Sequence, residues 1–107
     1  MELISHYLRE GGFLVSNAIN AKDAMSRIQE SLPDLIVTDV VMPGMSGFEL
    51  CRSLKRNAAT ATIPIVICSS KDQEIDRLWA LKQGAAVYVT KPFTRQQLLD
   101  VVQSILT

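Results

Sequence analysis

Apolar residues along the chain follow two rhythms. Three short runs are unbroken: Leu35-Ile36-Val37, Ile65-Val66-Ile67-Cys68 and Ala86-Val87-Tyr88-Val89. The first two are too short for a helix and too uniformly apolar for a strand with one wet face, so they read as strands buried on both faces of a parallel sheet. The third reads as the last strand, over residues 86–90. Between the runs the apolar positions recur at helical spacing. Leu3, Ile4, Tyr7 and Leu8 mark a first helix, ended by Gly11-Gly12. Residues 13–16, Phe-Leu-Val-Ser, read as a short strand. Asn20 offers a cap to a helix carrying Ala24, Met25 and Ile28, which Pro33 closes. Ser46-Gly47-Phe48-Glu49 is a capping box, opening a helix with Phe48, Cys51 and Leu54 on one face. Residues 72–83 predict a helix with Ile75, Leu78 and Trp79 sharing a face and Gly84 beyond its end. Thr94-x-x-Gln97 caps a last helix with Leu98, Val101, Val102 and Ile105 inward. Five helices alternating with four strands predict an α/β domain, its parallel sheet covered by helices on both faces.

Composition narrows this little. The 107 residues suffice for one core and show no linker or repeat, so residues 1–107 are expected to form one domain. Lys plus Arg and Asp plus Glu are 11 each, and this balance argues against a nucleic-acid surface. No apolar stretch is long enough to span a membrane, and the first residues lack the build of a signal peptide. Cys51 and Cys68 lack CxxC spacing and sit in apolar settings, as buried thiols in a reducing compartment would. A cytoplasmic protein is expected.

The candidate chemistry lies where strands end. Asp39 follows the first buried run, and Pro43-Gly44 forbids continuation of the strand. Ligands of open α/β sheets gather beyond the carboxyl ends of the strands. Taken alone, Asp39 is more often a turn residue, Ser69 a turn hydroxyl and Lys91 a solvated cation. Together they place a carboxylate, a hydroxyl and an ammonium at three strand ends on one sheet edge. That set suits phosphoryl transfer to the acid, or binding of an anion.

The stretch Asp34-Leu35-Ile36-Val37-Thr38-Asp39-Val40-Val41-Met42-Pro43-Gly44-Met45-Ser46-Gly47 resembles the phosphoacceptor signature of response regulator receiver domains, the chemotaxis-regulator-like family. The steps of 30 residues from Asp39 to Ser69 and 22 from Ser69 to Lys91 match that family, as does Lys91-Pro92-Phe93. Residues 71–85 are similar to single-domain regulators of pilus-driven motility. The resemblance covers essentially the whole chain and implies a flavodoxin-like fold. It implies that Asp39 accepts a phosphoryl group from a sensor histidine kinase, with Ser69 and Lys91 on the phosphoryl oxygens. Tyr88 falls on the aromatic switch position and would turn inward as Ser69 moves. The Lys91-Pro92 bond would be cis. The helix over 72–83, the strand over 86–90 and the helix over 94–106, the family's helix 4, strand 5 and helix 5, would present a face to a downstream protein target. The activity implied is that of a phosphoacceptor rather than an enzyme, with self-phosphorylation and self-dephosphorylation at most.

One departure carries consequences. Receivers open with a buried strand followed by two adjacent acids that hold Mg²⁺ together with the phosphoacceptor, and nothing ahead of Met1-Glu2-Leu3-Ile4 supplies them. The expectation is a receiver truncated at its first, central strand, or begun at an alternative start. Asp39 would then be a partial metal ligand, Mg²⁺ weak or absent, and phosphotransfer impaired. In the family's sheet order, 2-1-3-4-5, this leaves a gap. Residues 13–16 could close it by pairing with residues 35–38, or the chain could form a homo-oligomer through its open sheet, which is the favoured expectation. A phosphorylation-independent interaction or folding module is the rival reading. A nucleotide or flavin domain is disfavoured, because Gly11-Gly12 precedes a strand instead of following one.

Overall fold

The computed structural model describes residues 2–40, 45–71 and 73–106. Its elements are α1 (Glu2–Glu10), α2 (Ala21–Glu30), β1 (Ile36–Asp39), α3 (Gly47–Arg56), β2 (Ile65–Ser69), α4 (Glu74–Lys82), β3 (Val87–Thr90) and α5 (Arg95–Leu106). The expected turn at Pro43-Gly44 and the expected helix start at Asp72 lie outside the described residues.

Local chemistry accounts for most of the boundaries. After α1, Phe13 N–H donates to the Leu8 carbonyl and Gly12 N–H to that of Arg9. Gly84 ends α4 in the same pattern, with Ala85 N–H on the Ala80 carbonyl and Gly84 N–H on that of Leu81. Both glycines have positive φ, +91° and +105°, as this helix ending requires. Asn20 accepts from Asp23 N–H to cap α2, and Ser46 from Glu49 N–H to cap α3. Thr94 and Gln97 exchange both bonds of a capping box ahead of α5.

The three strands pair in parallel in chain order, β1-β2-β3. Ile65 and Ile67 of β2 enter one apolar cluster with Ile28, Leu50, Cys51, Leu54, Ala80 and Tyr88, which belong to α2, α3, α4 and β3. Val66 and Cys68 enter the other, with Ile4 and Leu8 of α1 and Leu98, Leu99 and Val102 of α5. Helices therefore cover both faces, as alternation predicted.

Two expectations need correction. Residues 13–16 form no strand, so the sheet has three strands where four were expected. Among the described residues no strand lies beside them to supply a ladder, and they do not slide over to pair with β1. Side chains fasten the segment instead: Arg9 donates to the Val15 carbonyl, Arg27 to Ser16 Oγ, and Ser5 Oγ to Asn17 Oδ1. Phe13 and Val15 still pack on the α1–α5 cluster, while Leu14 is fully exposed. Secondly, β1 is half-buried except at Thr38, because among the described residues it has a strand on one side only, whereas β2 is buried throughout. In α4, Ile75, Leu78 and Trp79 share a face, as read; it points to solvent, and the buried residue is Ala80. In α1, Leu3 is exposed while Ile4 and Leu8 are buried.

Candidate functional site

Sheet register assembles the site. Asp39 pairs with Cys68, and Ser69, one position further along β2, pairs with Thr90. Lys91 follows Thr90, and its N–H donates to the Ser69 carbonyl at 2.7 Å. Asp39, Ser69 and Lys91 thus reach the same edge, as their positions at strand ends predicted.

Lys91 Nζ donates to Asp39 Oδ2 at 2.5 Å, and Val40 N–H donates to Oδ1 at 2.8 Å. Both carboxylate oxygens are engaged, one by a full charge. The two side chains are 29–33% exposed, so the pair adds on the order of 1 kcal/mol to stability. Its chemical effect is larger: an ammonium fixed on an acid stands ready to neutralise charge gathering there. Gly47 supports this arrangement from below. Its N–H donates to the Val40 carbonyl at 2.8 Å, and a Cβ at this position would collide with the backbone carbonyl of Asp39. The Ser-Gly pair of the capping box therefore serves two purposes, starting α3 and letting it approach the end of β1.

Ser69 is buried, and its hydroxyl accepts from Lys71 N–H at 3.1 Å. Tyr88 is also buried, and its hydroxyl donates to the Lys71 carbonyl at 2.7 Å. The Tyr88 ring therefore lies inward. Arg77 of α4, which sequence reasoning did not single out, donates to the Tyr88 carbonyl at 3.2 Å and lies 5.7 Å from the ring centroid. Gly47 and Cys68 were likewise not read as parts of the site. Cys68 could have been placed by aligning the two apolar runs at their ends, but no local signal marks Arg77. Burial pushes the Cys68 thiol up to about 11, with Asp39 adding to the rise and Lys91 opposing it. The Lys91-Pro92 bond is cis, as the resemblance implied.

Receiver domains generally bind Mg²⁺ at an acidic site. Among the described residues no group of three His, Cys, Asp or Glu side chains is arranged to hold a metal. Asp39 brings one carboxylate, already shared between Val40 and Lys91, so the described residues do not by themselves fit a Mg²⁺ site.

Comparison with known proteins agrees with this geometry. Residues 1–103 match the family model of the response regulator receiver domain. Protein PilH of Pseudomonas aeruginosa is 37% identical over 106 residues, covering 99% of this chain and 88% of PilH. The phosphate regulon regulatory protein PhoB of Rhizobium meliloti is 38% identical over 104 residues, and the chain spans 46% of its length. Among solved structures, the signal receiver domain of a signal transduction histidine kinase from Syntrophus aciditrophicus superposes with a TM-score of 0.89 at 33% identity, over 98% of this chain and 80% of that one. The chemotaxis response regulator CheY4 of Vibrio cholerae gives 0.90 at 28% identity, over 98% of this chain and 88% of its own. The fold is flavodoxin-like. With an acid, a hydroxyl and a lysine at one sheet edge and this set of relatives, the chain belongs to the response regulator receiver domain family of two-component systems.

Proposed function

We propose that residues 1–107 form one receiver domain that accepts a phosphoryl group on Asp39 from a phosphohistidine of a sensor kinase. The observation that carries the reading is the Lys91 ammonium on Asp39 Oδ2 at the edge where Ser69 also ends its strand. Attack by the carboxylate on phosphorus forms an acyl phosphate and releases the neutral histidine. Lys91 is placed to balance charge on the transferred oxygens, and Ser69, whose oxygen accepts from Lys71 N–H, to donate its hydroxyl proton to one of them. Tyr88 then belongs to the switch, and the face of α4, β3 and α5 is the one read by a downstream protein. Apart from turning over its own phosphoryl group, such a domain catalyses nothing. No described helix is long and apolar enough to cross a membrane, and a cytoplasmic setting fits a kinase partner of this kind.

Asp39→Asn is expected to abolish labelling by acetyl phosphate or a phosphorylated kinase. Undiminished labelling would remove Asp39 from the role. In the same assay, labelling of the unaltered chain should be slow and respond weakly to added Mg²⁺, since among the described residues no three acidic, His or Cys side chains gather to hold a metal. A steep, saturable dependence would contradict the weak-metal part alone.

A second reading is favoured by one observation. Among the described residues the outer edge of β1 pairs with no strand. A receiver-like scaffold that associates through this edge, independently of phosphorylation, would satisfy those backbone groups.

A further inference from the structure

The buried switch ring is tied at both ends, and one of the ties comes from a residue that phosphoacceptor chemistry does not use. The Ser69 hydroxyl accepts from Lys71 N–H, the Lys71 carbonyl accepts from the Tyr88 hydroxyl, and the Tyr88 carbonyl accepts from Arg77. The guanidinium of Arg77 also lies against the Tyr88 ring, 5.7 Å from its centroid. A continuous line of contacts thus runs from the phosphoacceptor edge to the middle of α4. Among the described residues, few side chains of this helix are buried. Its buried residue is Ala80, whereas Ile75, Leu78, Trp79 and Leu81 are exposed. An alanine provides the smallest apolar anchor a helix can have, so a charged hydrogen bond and a cation–π contact weigh heavily in the position of α4.

We propose that Arg77 is a positioning residue for the aromatic switch: it latches Tyr88 inward before any phosphoryl group is present and makes α4 move with the ring. This rests on the receiver reading only in giving Tyr88 a switch role. Arginine suits the position because its planar head can stack on a ring while donating in its own plane, which an ammonium cannot do. Because coupling between sites is reciprocal, whatever draws Ser69 away from Lys71 is felt at Arg77, and a change at Arg77 is felt at Ser69.

The test measures exposure of Tyr88 without any phosphodonor, so failure of Asp39 labelling leaves it intact. The full chain is nitrated with tetranitromethane and modification of Tyr88 is scored against Tyr7, the other tyrosine. Arg77→Gln is expected to raise the Tyr88-to-Tyr7 ratio about fivefold, the change in an equilibrium when one modest contact is lost. Arg77→Lys should recover part of the effect, through the hydrogen bond but not the stacking. An unchanged ratio in both variants, with native far-UV circular dichroism, overturns the proposal. If Arg77→Gln loses native dichroism, Arg77→Lys decides: a raised ratio supports the latch and an unchanged one overturns it.

Discussion

At the scale of single residues, the proton on Cys68 is as informative as the charge on Asp39. Cys68 is fully buried beside the site, and burial pushes its thiol from the ordinary value of 9.0 to about 11. Between those values the unfolded chain releases the proton and the folded chain keeps it, so stability falls as pH rises through that window. The loss attributable to this thiol is on the order of 2 kcal/mol by pH 11. Urea midpoints at pH 8 and pH 10.5 should therefore differ less in Cys68→Ala than in the unaltered chain, and equal differences would mean that the thiol does not titrate in this way. The candidate set was legible in the sequence because strand ends are legible: Ser69 directly follows one apolar run and Asp39 lies two residues beyond another, ahead of Pro43-Gly44, without any knowledge of pairing. Arg77 was not, since its contact with Tyr88 spans 11 residues and arises only when α4 crosses β3.

At the scale of elements, capping signals proved to be better guides than apolar spacing. Asn20, Ser46 and Thr94 cap α2, α3 and α5 as read, and Gly12 and Gly84 close α1 and α4. Apolar spacing put Ile75, Leu78 and Trp79 on one side of α4, but periodicity shows that residues share a side and not which side faces the core. The strand expected over residues 13–16 failed for a different reason: a strand is a property of two segments, and its alternation of inward Phe13 and Val15 with outward Leu14 survives without a ladder. The two helix-ending glycines allow a graded prediction. Both have positive φ, but a Cβ on Gly84 would come within 2.7 Å of Lys55 Cγ, whereas one on Gly12 would meet nothing within 4 Å. Lys55 is not free to yield cheaply, since its Nζ donates to the Ala61 and Ile63 carbonyls. Gly12→Ala should cost about 1 kcal/mol from backbone strain and Gly84→Ala roughly 2 kcal/mol or more. Equal urea midpoints for the two variants would show that Lys55 adjusts freely.

At the scale of the molecule, the parallel sense of the strands and the covering of both faces followed from strict alternation of helix and strand, and their order from the family resemblance. The number of strands did not, because alternation cannot report whether a ladder partner is present. Among the described residues the outer edge of β1 pairs with no strand; association would begin there, and light scattering on the purified chain is expected to show a mass above that of a monomer, persisting in Asp39→Asn. A monomer at all concentrations would remove the association reading. The sheet also separates two thiols. Cys51 lies in the cluster beneath α2, α3 and α4, and Cys68 in the cluster beneath α1 and α5, each with no exposed surface and each with its acidity suppressed by burial. Neither can be alkylated until its own side of the sheet opens, so the chain carries one chemical clock in each half of its interior. If the two clocks run at one rate, the halves come apart together; if they differ, the faster one names the half that lets go first.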